Sequence, residues 1–232
     1  MRTISTLVFL SVTLVSNAQT GFFLQPMAGM GTGNARTVNR YPGDDYTTEK
    51  VRTFDAFVRA GFENSHFQIA SGVGFLRTGW KRMRNYQNGG TPYYFNYINH
   101  LTVPVTLGYR VTCFRNFVIV PSLGLACACN VSVLTSYYDD DKLATMPTDR
   151  FKESYHRFSI FGSACVDIAY AVSQRLSVVL SPKFDYMITN VSKSVVQTEP
   201  LLKVHNYASV CDAGIKWRLK NPKMKTTALT TE

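Results

Sequence analysis

The residues best placed to do chemistry in this chain are charged ones standing at alternate positions inside apolar runs. Asp55 with Arg59, Asp167, Lys183 with Asp185, and Asp212 with Lys216 and Arg218 each lie opposite a face of Val, Leu, Ile, Phe and Tyr. Side chains two apart in a strand share one face, so these eight gather on the faces opposite the apolar ones. Four carboxylates meet four cations, which predicts a mutually neutralised network, because an unpaired charge out of water is costly. Proton shuttling along the aspartates, or a narrow ion path between them, is the functional alternative to a neutral plug.

Other chemistry is poorly provided for. Hydrolysis of a lipid ester needs a nucleophile beside a base, and the candidates are His156, with Ser154 and Glu153 close by in sequence, and His205. The strands predicted to carry the two histidines are separated by another, so no catalytic residue is assigned. His66 falls at a turn, and His100 is expected to face the interior alone. Asp139-Asp140-Asp141 offers oxygen ligands without the spacing of a dedicated calcium loop, and reads as an acidic loop tip. Neither a metal nor a cofactor is expected. The five cysteines, Cys113, Cys127, Cys129, Cys165 and Cys211, are odd in number and lack zinc spacing, so they imply no disulfide framework.

The elements that must position these residues are strands. Period-two alternation recurs along the chain, clearest in Leu101-Thr-Val-Pro-Val-Thr-Leu-Gly-Tyr109, while no long stretch after the N-terminal segment carries helical spacing. Eight runs result, at about 21–32, 52–62, 66–78, 94–111, 117–132, 155–171, 175–189 and 204–219. The second, fourth and sixth connections are short. The first, third, fifth and seventh are long and polar, including Tyr41 to Tyr46, Arg84 to Gly90, Tyr137 to Lys142 and Ser192 to Pro200. Strict alternation of short turns and long loops is the mark of an all-β, eight-stranded antiparallel up-and-down transmembrane β-barrel. An even strand count puts both termini on the short-turn side, and an eight-stranded interior is just filled by side chains.

Aromatics sort to the ends of the apolar faces, as membrane-interface girdles do. Phe62, Phe67, Tyr109, Phe117, Tyr170 and Trp217 fall at the turn ends; Tyr97, Tyr186 and Tyr207, with Phe54 and Phe158, fall at the loop ends. From Tyr207 to Trp217, strand rise and barrel tilt give roughly 25 Å of membrane normal. On the opposite faces, Gly72, Gly74, Gly108 and Gly124 make room for long charged chains or bend the strands.

The N-terminus reads as a secretory signal: Arg2, an apolar run from Ile4 to Val15, then small residues before a cut after Ala18. Three segments follow: a signal peptide over 1–18, a barrel over 19–219 and a basic C-terminal tail over 220–232. The net charge of +10 is scattered except near the C-terminus, so a nucleic-acid face is not expected. Anionic lipid and lipopolysaccharide are the partners the charge suggests. Localisation in a bacterial outer membrane, with both termini in the periplasm, follows.

Asn99-His-Leu-Thr-Val-Pro104-Val-Thr-Leu-Gly-Tyr109, followed after a short turn by Val120-Pro121-Ser-Leu-Gly124, resembles the signature of the small PorT-type outer-membrane β-barrel family of Bacteroidota. The resemblance implies an outer-membrane barrel, often of unassigned role, with some members in a secretion and gliding machinery. It carries over no functional residue. The expected function is non-enzymatic: a barrel with a closed polar lumen whose extracellular loops bind a protein or glycan ligand. The alternative is an accessory subunit of an envelope secretion or assembly complex, engaging an envelope protein through the tail. A lipid-modifying enzyme and a soluble lipocalin-like binder are the lesser readings.

Overall fold

The computed structural model describes residues 21–38, 46–84, 93–114, 116–139, 142–146, 155–190 and 203–219 of the 232. Residues 1–18, expected to be a signal peptide, residues 220–232, expected to be a tail, Ser154, Glu153 and the stretch Ser192 to Pro200 lie outside them. The described residues form strands and turns with no helix.

Among the described residues eleven strands make one sheet: β1 (Gly21–Val38), β2 (Tyr46–Glu49), β3 (Val51–Glu63), β4 (Phe67–Arg84), β5 (Tyr93–Tyr109), β6 (Val111–Phe114), β7 (Phe117–Asp139), β8 (Lys142–Met146), β9 (Phe158–Ala171), β10 (Leu176–Met187) and β11 (Lys203–Arg218). Antiparallel pairing runs β1–β3–β4–β5–β7–β9–β10–β11 and returns from β11 to β1, so the sheet closes on itself with eight staves. The short strands are accessories: β2 pairs with β4 beyond the end of β3, β6 prolongs β5 against β7, and β8 folds back on β7. Closure leaves the eight staves no unpaired edge, and each stave pairs with its neighbours in sequence across short and long connections alike.

Alternation sorts the side chains. In β3, Val51, Thr53, Asp55 and Arg59 are buried, whereas Arg52, Phe54 and Val58 are exposed. The outer wall is a sheath of exposed apolar residues, among them Val73, Leu107, Leu123 and Leu180, each at least 47% accessible. The buried charged side chains lie on the inside.

Strands extend further at the loop end than alternation implies. β1 continues to Val38, β4 to Arg84 and β7 to Asp139, past the predicted ends at 32, 78 and 132. Backbone pairing there outlasts the apolar face that makes a strand visible in sequence. Of Tyr137 to Lys142, read as a loop, Asp140 and Asp141 lie outside the described residues, while Tyr137, Tyr138 and Asp139 belong to β7 and pair with Ala144, Leu143 and Lys142 of β8. A bulge at Val131, where Asn99 pairs with Ser132 and His100 with Asn130, moves the buried positions of β7 from Ala126 and Ala128 to Val133.

Proline interrupts the ladder on one side only. The β1–β11 register lapses at Gln25 and Pro26, and the β10–β9 register at Ser181 and Pro182, yet Pro26 still pairs with Val58 and Pro182 with Cys211. Each ring lacks the N–H that one neighbour needs. Gly72 marks the tightest approach among the expected glycines: a Cβ there would lie 2.1 Å from the Val58 carbonyl oxygen and 2.6 Å from the Arg59 Cα. The absence of a side chain lets β3 carry Arg59 into the lumen beside β4.

Candidate functional site

The lumen is packed in layers. At the turn end, Lys216 Nζ lies 3.1 Å from Glu63 Oε2 and also donates to Gln68. Arg218 donates through Nε to the other Glu63 oxygen and through Nη1, at 3.2 Å, to Ser177 Oγ. The Lys216 ammonium sits 4.5 Å from the Phe23 ring centroid, within cation–π range. Glu63 is 1% accessible and Lys216 1%. Arg110 closes this end, donating to the Asn64 carbonyl oxygen at 3.1 Å.

One step inward, Arg59 pairs with Asp167 and donates to Gln25 Oε1 at 3.2 Å. A small apolar cluster of Met27, Val118, Val120, Ala169 and Val179 packs beside them. Phe57 divides the two ionic layers: Arg59 lies over its ring at 5.7 Å and Lys183 at 5.0 Å.

The middle layer is unbalanced. Lys183 pairs with Asp55, with Asp185 at 3.1 Å and with Asp212 at 3.9 Å, one cation for three carboxylates. Ser163 donates to Asp185. Neither oxygen of Asp212 accepts a hydrogen bond among the described residues, although the side chain is fully buried. A cavity of about 40 Å³ beside Asp55, Thr102 and Asp185 has room for a water or two.

Above this lies a plug that alternation alone does not reveal. Leu76, Trp80, Ile98, Phe161, Met187 and Val204 form an apolar core inside the loop end of the barrel. His100, fully buried, is set into it: Nε2 is 2.8 Å from Thr78 Oγ1, Nδ1 is 2.5 Å from Asn130 Oδ1, and the ring meets Phe161 edge-on at 5.1 Å. Asn206 donates to the same threonine at 3.1 Å. His100 faces the lumen as expected but is not alone there. The lumen is correspondingly not polar throughout, because the loop half is filled by aliphatic and aromatic side chains.

The eight charged residues singled out in sequence, Asp55, Arg59, Asp167, Lys183, Asp185, Asp212, Lys216 and Arg218, all point inward. Gln68 links the Lys216 and Arg59 layers by donating to Asp167 at 3.5 Å, so the charges form two separate groups rather than one network. Sequence reasoning missed Glu63, assigned to a turn, though its spacing of four from Arg59 and eight from Asp55 puts it on the same face. It also missed Gln25, Gln68 and Arg110, whose roles depend on partners in distant strands.

The aromatic residues singled out occupy the outer wall. Phe67, Tyr109, Tyr170 and Trp217 are at least 50% accessible, and Phe62, Tyr97, Phe117, Tyr186 and Tyr207 are half-buried by neighbours. Phe67 stacks edge-on with Tyr109 at 5.7 Å and Phe22 with Phe62 at 5.4 Å at the turn end; Phe184 meets Tyr207 at 6.1 Å towards the loops.

The histidines do not assemble a hydrolytic pair. His205 stacks on Tyr186 and bonds the Met187 carbonyl oxygen at 3.0 Å, while His156 is exposed and β10 stands between their strands. Among the described residues no group of three or more His, Cys, Asp or Glu is arranged to hold a metal. All five cysteines are free.

Eight antiparallel staves around a lumen filled by side chains define the class: a closed, small up-and-down β-barrel. Among solved structures the chain is similar to Neisserial surface protein A at 15% identity and a TM-score of 0.43, over 88% of this chain and 99% of that one. It is also similar to the outer membrane protein OprG of Pseudomonas aeruginosa (12%, 0.47, 87% and 97%) and to Escherichia coli outer membrane protein W (14%, 0.37, 88% and 100%). The strand registers themselves close the eight staves and set the class. No family model and no curated protein matches the chain.

Proposed function

We propose that this protein is a non-enzymatic barrel of a bacterial outer membrane, a sealed scaffold that holds its long loops at the cell surface. The observation that carries this reading is the contrast between its two faces. The outer wall is apolar between aromatic ends, while the inner wall is closed by ion pairs below and an apolar plug above. Lipid is the solvent that matches the first, and a scaffold rather than a pore matches the second.

With the short turns in the periplasm, both termini lie there and the four long connections face outward. Loops on a rigid barrel are suited to a protein or glycan ligand. The PorT-type resemblance favours the alternative, an accessory role in an envelope secretion complex engaged through residues 220–232. Deleting 221–232 separates the two: loss of secretion or of complex formation supports the tail, and an unchanged phenotype supports the loops.

Cell fractionation with gel migration tests the membrane reading. The protein is expected in the outer-membrane fraction and to migrate differently before and after boiling in detergent. Recovery as a detergent-free soluble protein would overturn it.

A further inference from the structure

The outer wall is not uniform at its loop end. On the flank made by β1, β3 and β4, Arg36, Arg52 and Arg77 are all exposed on the outward face. Arg77 pairs across the sheet with Phe54, and Arg52 stands two residues from Phe54 on the same face, so the two arginines are diagonal neighbours. Diagonal neighbours in an antiparallel pair lie about 7–8 Å apart, their Cβ atoms somewhat closer. Arg52 in turn faces Thr32 on β1, and Arg36 lies further along β1 opposite His205. Lys50, exposed just before β3, adds a fourth cation.

These charges are unmet. Among the described residues no carboxylate pairs with Arg36, Arg52 or Arg77; the nearby Glu49 is held by Lys81 at 3.0 Å. Arg77 is nonetheless oriented. Its Nε donates to Asn99 Oδ1 at 2.9 Å, its guanidinium lies 5.8 Å from the Tyr97 ring centroid, and Asn99 is itself fixed by donating to Ser132 Oγ at 2.7 Å. The terminal nitrogens are left to an outside acceptor. Among the described residues the opposite flank differs at its loop end: Leu134, Phe158, Ile160 and Ile188 are exposed there, and the one exposed arginine described at that end, Arg157, lies over Phe158. A ring of cations serving only to anchor the barrel would have no reason to favour one flank.

We propose that Arg36, Arg52 and Arg77 form a docking surface for the phosphate of an anionic lipid headgroup in the leaflet at the loop end. Guanidinium forks match phosphate oxygens in pairs, and the aromatic residues interleaved with them, Phe54 opposite Arg77, Tyr97 opposite Gly79 and Tyr207 opposite Asn34, place the patch at headgroup depth. This rests on the membrane reading above.

The test is lipid retention. Full-length mature barrel is reconstituted in nanodiscs of equal phosphatidylcholine and phosphatidylglycerol, and the lipids kept on delipidation are counted by native mass spectrometry. Wild type should retain phosphatidylglycerol preferentially, with roughly a fivefold loss of preference for each cation removed, the weight of one Lys or Arg at an anionic surface. Arg52→Gln with Arg77→Gln should abolish most of it, Arg77→Lys should lose the part owed to the fork, and Arg157→Gln on the other flank should change nothing. Insertion without preference, or a preference that survives both glutamines, overturns the proposal and leaves the membrane reading standing. A protein that does not enter the nanodisc at all overturns that reading instead.

Discussion

Arg59 on β3 reaches Asp167 on β9, the stave diametrically opposite in the eight-stave barrel, so this ion pair spans the full width of the lumen. Both side chains are at most 4% accessible. Removing one partner leaves a buried charge with no counterion, while replacing both by apolar residues of similar size removes the need for one.

Arg59→Ala or Asp167→Ala alone should therefore cost about 3 to 5 kcal/mol of stability. The double variant Arg59→Met with Asp167→Leu should recover most of that. Urea unfolding of the barrel in lipid vesicles, followed by tryptophan emission, measures both; equal losses in the single and double variants would show that the pair is not the source.

Asp212 should behave in the opposite way. Its carboxylate shares Lys183 with two others and accepts no hydrogen bond among the described residues. Asp212→Asn, which removes the surplus charge, is expected to be neutral or to stabilise the barrel by about 1 kcal/mol. Asp55→Asn, which takes away a direct partner of Lys183, should destabilise it. The same unfolding assay decides, and a large loss for Asp212→Asn would mean the carboxylate has a partner of its own.

Close approach gives a third expectation. Gly72→Ala would drive a methyl group against the β3 backbone, so it should reduce the yield of the compact, unboiled gel species. Gly162→Ala meets nothing nearer than the Ile188 side chain at 3.4 Å and should fold normally. The comparison is read on one gel.

The plug predicts an electrical silence. With Trp80, Phe161 and Met187 filling the loop half of the lumen, the reconstituted wild type should show no steady single-channel steps in a planar bilayer. Phe161→Ala should lose about 3 to 5 kcal/mol, the usual cost of truncating a core aromatic.

Much of this architecture is legible in the chain because β-strands sort residues locally. Leu101 to Tyr109 shows its two faces directly, and the distance from Tyr207 to Trp217 measures the apolar band. What local pattern cannot contain is partnership across the lumen. That Arg59 meets Asp167, or Lys216 meets Glu63, depends on barrel closure and on the register of strands far apart in sequence. The plug was hidden for a related reason: inward positions such as Ile98 and Phe161 are as apolar as the outward ones, so alternation fades where the core is driest. The bulge at Val131 then exchanges the faces of β7 with no glycine or proline to announce it.

Cys211 tests the central claim most directly. It lies exposed on the outer wall, between Met30 and Pro182, in the band assigned to lipid. In a variant whose other four cysteines are replaced by Ser or Ala, folded in lipid vesicles, this thiol should ignore a charged, membrane-impermeant maleimide and react once the barrel is unfolded. Full reaction in the folded state would mean that the apolar wall faces water, and would contradict the account.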